Sequence, residues 1–150
     1  MERKIPPLIL VLLWLLCMGV LSALLPSPSL VFEGHIGLAV LLGMAGFAVA
    51  LTGVLHFRRA GTTLNPVAPE DASALVTSGI YRYSRNPMYL GFLLWLAAAA
   101  VWLAHLAAFA LLPVFVLYLN RFQIEPEERA LGRIFGESFA DYCRRVRRWI

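Results

Sequence analysis

The chain has 150 residues, of which 60% are hydrophobic and only 15% charged, with a formal net charge of +4. Soluble domains carry about 25% charged residues, and a mean hydropathy of +0.73 means more apolar surface than a water-soluble fold of this size can hide, which excludes a soluble enzyme. The positive charge would suit nucleic acid in a soluble protein, but its distribution here points to a membrane surface, so no nucleic-acid partner is expected.

No polar linker divides the chain, and a single domain over 1–150 is expected. A spanning helix needs about 20 mainly apolar residues. The first candidate covers 8–25, has no charge, contains Trp14 and stops at Pro26-Ser27-Pro28. It lacks a clean small-x-small cleavage site and reads as a retained anchor, not a signal peptide. The second covers 35–57, where Ala39, Gly43, Gly46 and Ala50 recur at helical spacing and let a neighbouring helix approach closely. Between Met88 and Leu119 the only potentially charged group is His105. That run is too long for one span and predicts a hairpin of helices over 88–103 and 106–121, turning at Ala104-His105. His105 then lies at an interface, and Pro113 kinks the fourth helix or sits where neighbours satisfy the freed carbonyl. Cys17 and Cys143 have neither disulfide nor metal-site spacing, and no metal is expected.

The expected fold is all-α: an integral membrane bundle of about four transmembrane helices with C-terminal cytoplasmic amphipathic helices. If the N-terminus is cytoplasmic, segments 1–7, 56–87 and 120–150 share that side and hold all 13 basic residues, from Arg3 and Lys4 to Arg148. The positive-inside rule then puts both termini and any polar site in the cytoplasm. Twelve arginines against one lysine suit a GC-rich bacterial genome, and a bacterial cytoplasmic membrane is the expected location.

Two polar regions remain on that face, a loop over 58–87 and a tail over 122–150. The loop includes Gly61-Thr62-Thr63-Leu64-Asn65-Pro66 and ends in Arg85-Asn86-Pro87-Met88-Tyr89-Leu90-Gly91. Proline suits a helix's first turn, and the free N–H groups there, with Arg85, make an anion site. Tyr89 and Gly91, one turn inside, offer an aromatic wall and a gap. Belt tyrosines and an arginine anchor are the bland account of the same residues. In the tail, Glu127 and Glu128 suit either a helix start near Pro126 or a cationic ligand. Leu131, Phe135, Phe139, Tyr142, Val146 and Trp149 then repeat at three to four residues, an amphipathic pair broken near Gly136. That pair is expected to lie on the membrane surface, with Arg144, Arg145, Arg147 and Arg148 attracted to anionic lipid.

Leu75-Val76-Thr77-Ser78-Gly79-Ile80-Tyr81, followed by Arg85 to Gly91, resembles the isoprenylcysteine carboxyl methyltransferase and phospholipid methyltransferase group of membrane enzymes. Past the hairpin the likeness continues in Glu127-Glu128, Leu131, Phe135-Gly136, Phe139, Tyr142 and Val146-Arg147-Arg148-Trp149. Asn86 stands where His is commoner. The resemblance implies S-adenosylmethionine as methyl donor, with S-adenosylhomocysteine as product, and a lipophilic or lipid acceptor that arrives through the membrane. It implies cofactor contacts from Tyr81, Arg85, Asn86, Pro87, Tyr89, Leu90, Gly91, Glu127 and Glu128. Arg121 is the candidate for orienting the acceptor. The alternative is a non-catalytic membrane protein whose basic tail binds anionic lipid or a partner.

Overall fold

The computed structural model describes residues 6–59, 61 and 74–150. Arg3, Lys4 and the Thr62-to-Pro66 stretch lie outside the described residues. Helix α1 covers Pro7–Leu24 and α2 covers His35–Arg59. A 3-10 turn follows at Gly79–Arg82. Helices α3, Pro87–Leu103, and α4, Leu106–Leu119, form the hairpin. A π turn, Asn120–Ile124, leads into α5, Glu125–Phe135, and then α6, Glu137–Arg145.

The described residues form no strand. Helices α1, α2 and the continuous 106–135 helix are long and apolar enough to cross a bilayer, and α3 is a shorter apolar helix of 17 residues. At 1.5 Å per residue α3 covers roughly 25 Å, just under the thickness of a hydrocarbon core. Leu12, Leu16, Leu41, Met44, Phe47 and Leu117 stay exposed. Lipid is the solvent that tolerates such a surface, and the chain is an integral membrane protein.

The bundle closes through two contacts of different kinds. Leu10, Val11 and Met18 of α1 join Leu96 and Ala100 of α3 and Ala108, Phe115 and Leu119 of α4 in one apolar core. Trp14 adds a hydrogen bond from Nε1 to the Leu111 carbonyl, 3.1 Å, close to Pro113. Helices α2 and α3 meet almost backbone to backbone: a Cβ on Gly91 would lie 2.7 Å from the Gly46 carbonyl oxygen and 2.8 Å from Ala50 Cβ. Trp95 Nε1 donates to the Gly43 carbonyl across the same seam, 3.1 Å. The gap expected beside Gly91 as a pocket wall is therefore filled by α2, because only paired small residues allow this approach.

One end of the bundle is tied by the α3–α4 turn. Ala104 takes the left-handed conformation at φ 46°. His105 caps α4 by accepting from Ala107 N; its Nε2 lies 3.0 Å from the Leu25 carbonyl oxygen. Leu30 N donates to the Ala104 carbonyl and Leu106 N to Ser27 Oγ. The α1–α2 connection thus shares that end with His105, and the polar regions gather at the other.

There the structure departs from the expected helix start at Pro126. Helix α4 does not stop. Glu125 N reaches back five residues to the Asn120 carbonyl, and this wider turn carries the helix past Pro126, whose missing N–H would interrupt an α-helical ladder. Glu127 and Glu128 consequently ride on an extension of the fourth span.

Gly91→Ala is expected to destabilise the bundle by about 1–3 kcal/mol, since α2 backbone must move aside. Gly19→Ala, with nothing within 4 Å, should leave stability equal or slightly higher. Thermal unfolding in detergent measures both.

Candidate functional site

Gly79 has φ +61°, and a Cβ there would fall inside the His56 ring. Glycine alone allows that turn to tuck under the end of α2. The turn buries Tyr81 against Phe57, ring centroids 5.2 Å apart. Tyr142 of α6 donates from its Oη to the Tyr81 carbonyl, 2.8 Å. Val76, Tyr81, Phe139, Tyr142 and Val146 form a second apolar core, with Leu131 and Phe135 packed against it. The stripe expected to lie on the membrane surface is thus largely spent on the protein itself. Its partners, Val76 and Tyr81, come from the loop, and periodicity in the tail says nothing about them.

From Tyr81 the chain enters α3. Ser84 Oγ accepts from Asn86 N, 3.1 Å, and Pro87 occupies the first helical turn. Pro87 is buried and sits with Met88 against Gly53 of α2. One turn on, Tyr89 Oη donates to Glu127 Oε1 at 2.6 Å. Arg85 Nη2 lies 3.0 Å from Glu128 Oε1. The two segments that sequence spacing leaves 38 residues apart meet here side chain to side chain.

A third segment joins them. After α6 the chain runs extended past Val146 as a strap across the start of α3. Arg85 N donates to the Arg147 carbonyl, 3.1 Å, and Asn86 Nδ2 to the Arg148 carbonyl, 3.0 Å. Arg148 grips Glu128 with two donors, Nη2 to Oε2 at 2.6 Å and Nε to Oε1 at 3.2 Å. Trp149 Nε1 donates to Asn120 Oδ1 in the π turn, 3.1 Å. Lipid attraction is the expected account of most of the tail arginines; Arg148 is an exception, since the structure puts it in the cluster. The signal that separates it is its place in the Val146-Arg147-Arg148-Trp149 motif.

The other candidates divide. Leu90 is half-buried on α3 beside Tyr89, and Gly91 belongs to the α2 seam. Arg121 stands apart: its side chain is 71% exposed and pairs with Glu125, 3.2 Å. Arg144 pairs with Glu137 and Asp141 on the outer face of α6.

Electrostatics follow burial. Desolvation pushes the Tyr81 phenol far above its ordinary value, with Tyr142 and Glu127 adding to the effect. Burial raises Tyr142 too, while nearby Arg85 opposes the rise. Hydrogen bonding to Glu128 stabilises the charged form of Arg148 further. Among the described residues, Tyr81 Oη and Arg85 Nε are buried without a hydrogen-bond partner. A buried donor left unsatisfied costs about 1–3 kcal/mol, so such atoms mark a place where a ligand's acceptor would be stabilising.

A profile described as phospholipid methyltransferase matches residues 35–138, which includes α2, the loop, the hairpin and both acidic residues. The chain is 32% identical over 95 residues to protein-S-isoprenylcysteine O-methyltransferase B of Arabidopsis thaliana, covering 63% of this chain and 48% of that protein. It is 34% identical over 106 residues to protein-S-isoprenylcysteine O-methyltransferase of Rattus norvegicus, 69% of this chain and 37% of that one. An uncharacterized protein of Haemophilus influenzae is 41% identical over 63 residues, its whole length and 42% of this chain. The chain thus spans about half or less of the Arabidopsis and rat proteins.

The raised phenols have a stability consequence. Below pH 10 the folded and unfolded chains hold the same phenol protons; above it the unfolded chain releases protons that Tyr81 and Tyr142 retain when folded. Stability therefore falls as pH rises past 10. Phenolate absorbance should show these two tyrosines ionising only with unfolding, and Tyr142→Phe should cost about 1 kcal/mol through the lost bond to Tyr81.

Proposed function

Because the chain belongs to the phospholipid methyltransferase family, we propose that it transfers a methyl group from S-adenosylmethionine to a lipophilic acceptor reaching the site through the bilayer. The observation that carries this reading is the meeting of Tyr89 with Glu127 and of Arg85 with Glu128. One small volume then offers anion donors, cation acceptors and aromatic rings.

The residues fit the donor. Its carboxylate suits the N–H groups opening α3 and the partnerless Arg85 Nε. Its ammonium suits Glu127 or Glu128, and the rings of Tyr81 and Tyr89 suit a sulfonium by cation–π contact. Asn86 and Pro87 set the backbone that presents those N–H groups; Leu90 and Gly91 hold the helix behind them. When bound, S-adenosylmethionine supplies an activated methyl group and leaves as S-adenosylhomocysteine. The protein's own share is orientation and exclusion of water: Tyr89 fixes the Glu127 carboxylate by a hydrogen bond, and the second apolar core seals the solvent side. No side chain need act as a strong acid, because the leaving group departs neutral.

The acceptor is an isoprenylcysteine-like carboxylate, a phospholipid amine or another small lipophile. The names of the plant and rat relatives make a prenylated cysteine carboxylate the first assay. Arg121, exposed near the end of the fourth span, is retained as the group that orients an anionic acceptor. We read residues 1–150 as one domain in a bacterial cytoplasmic membrane, with both termini and this site cytoplasmic, because the described arginines gather at the end of the bundle away from His105.

Calorimetric titration of the detergent-purified chain with S-adenosylhomocysteine tests the reading. Glu127→Ala and Tyr89→Ala should weaken binding at least about tenfold, since each removes a charged or charge-orienting contact, and Glu33→Ala should not. Absence of binding by the unaltered chain at millimolar ligand sinks the enzyme and favours a lipid-binding role for the basic tail.

A further inference from the structure

We propose that Arg148 is a latch on Glu128, and that loading the donor requires this guanidinium to give up the carboxylate to the ligand's ammonium. The inference rests on the donor-site reading above. It goes beyond that reading in naming what already sits where the cation would bind and which segment must move.

The stereochemistry carries it. A carboxylate has about four lone-pair positions. Glu128 Oε1 already accepts from Arg85 Nη2 and Arg148 Nε, and Oε2 accepts from Arg148 Nη2. A third cation finds a single open position on a carboxylate already shared by two guanidiniums, and exchange for Arg148 is what frees the two-point face that Arg148 now holds.

The two guanidiniums are not equally free to leave. Arg85 adjoins the start of α3 and its side chain is 15% exposed, so leaving would strand a largely buried charge; Arg148 is 32% exposed. Arg148 belongs to the extended strap beyond α6. The strap is held to the start of α3 by two hydrogen bonds, Arg85 N to the Arg147 carbonyl and Asn86 Nδ2 to the Arg148 carbonyl, and to the π turn by one, Trp149 to Asn120. The first two involve residues that themselves flank Glu128, Arg85 through its ion pair and Arg148 through its own grip. Release of Arg148 removes one of the contacts that hold this strap and so loosens it, and the donor's ammonium enters by exchange of one cation for another. Such competition lowers the apparent affinity by the fraction of molecules that are unlatched.

Two measurements on the full chain in detergent decide the matter. In calorimetric titration with S-adenosylhomocysteine, Arg148→Ala should bind about threefold or more tightly than the unaltered chain, because the competing cation is gone; Glu128→Ala should bind more weakly. Equal or weaker binding by Arg148→Ala overturns the latch. In hydrogen exchange on the unaltered chain, which decides even if the variant does not fold, the Arg85 amide, which donates to the Arg147 carbonyl of the strap, should exchange faster with ligand than without. Slower or unchanged exchange overturns it. If the unaltered chain binds and these expectations fail, the latch alone is wrong; if it does not bind at millimolar ligand, the donor-site reading falls and takes the latch with it.

Discussion

The Glu128 carboxylate sits between the guanidiniums of Arg85 and Arg148, with Glu127 beside it accepting from Tyr89. Three parts of the chain are fixed by that contact: the start of α3, the extension of the fourth span, and the strap beyond α6. Half-buried charge is costly to leave unpaired, and this cost makes the arrangement specific more than it makes it strong. An apolar residue at 128 would leave Arg85 without its ion-pair partner at the edge of a protein core. The carboxylate thus organises segments that no continuous secondary structure joins.

The membrane part of the fold delivers these groups to one place. A seam of small residues sets α3 against α2, and Gly46 facing Gly91 fixes the height at which Tyr89 emerges. The apolar core among α1, α3 and α4 fixes the fourth span against the third. Because α4 continues through a π turn, Glu127 stands on a stiff helix rooted in that core. A hinge between span and tail would leave the Tyr89–Glu127 distance to chance. The wider turn also keeps Asn120 available to Trp149, so the same irregularity that carries the helix past Pro126 anchors the strap.

Much of this was legible in residue order, for a physical reason: lipid imposes long apolar runs, and arginines collect at one end of them. The apolar helices and the hairpin at Ala104-His105 follow from local pattern, and the same pattern picks out Arg85, Tyr89, Glu127 and Glu128, which the structure brings together. What local pattern could not give was partnership. Periodicity showed that Leu131, Phe135, Phe139 and Tyr142 share a face, but Val76 and Tyr81, which cover much of it, lie over fifty residues away in a loop without period. Gly91 reads equally as a gap or as a seam until the residue opposite is known to be Gly46. The Val146-Arg147-Arg148-Trp149 motif sets Arg148 apart from Arg144 and Arg145, but only three dimensions separate it from Arg147.

The strap's position also bears on how a membrane site handles a polar ligand. The neighbourhood of Glu128 brings the guanidiniums of Arg85 and Arg148 together with the carboxyl groups of Glu127 and Glu128. A zwitterionic amino-acid group, one carboxylate and one ammonium, adds no net charge to such a cluster and can enter by trading partners. A simple cation or anion would upset the balance and pay a desolvation cost with no compensating exchange. On the proposed reading of the site, such pairing of opposite charges would favour a zwitterion over a simple ion of either sign.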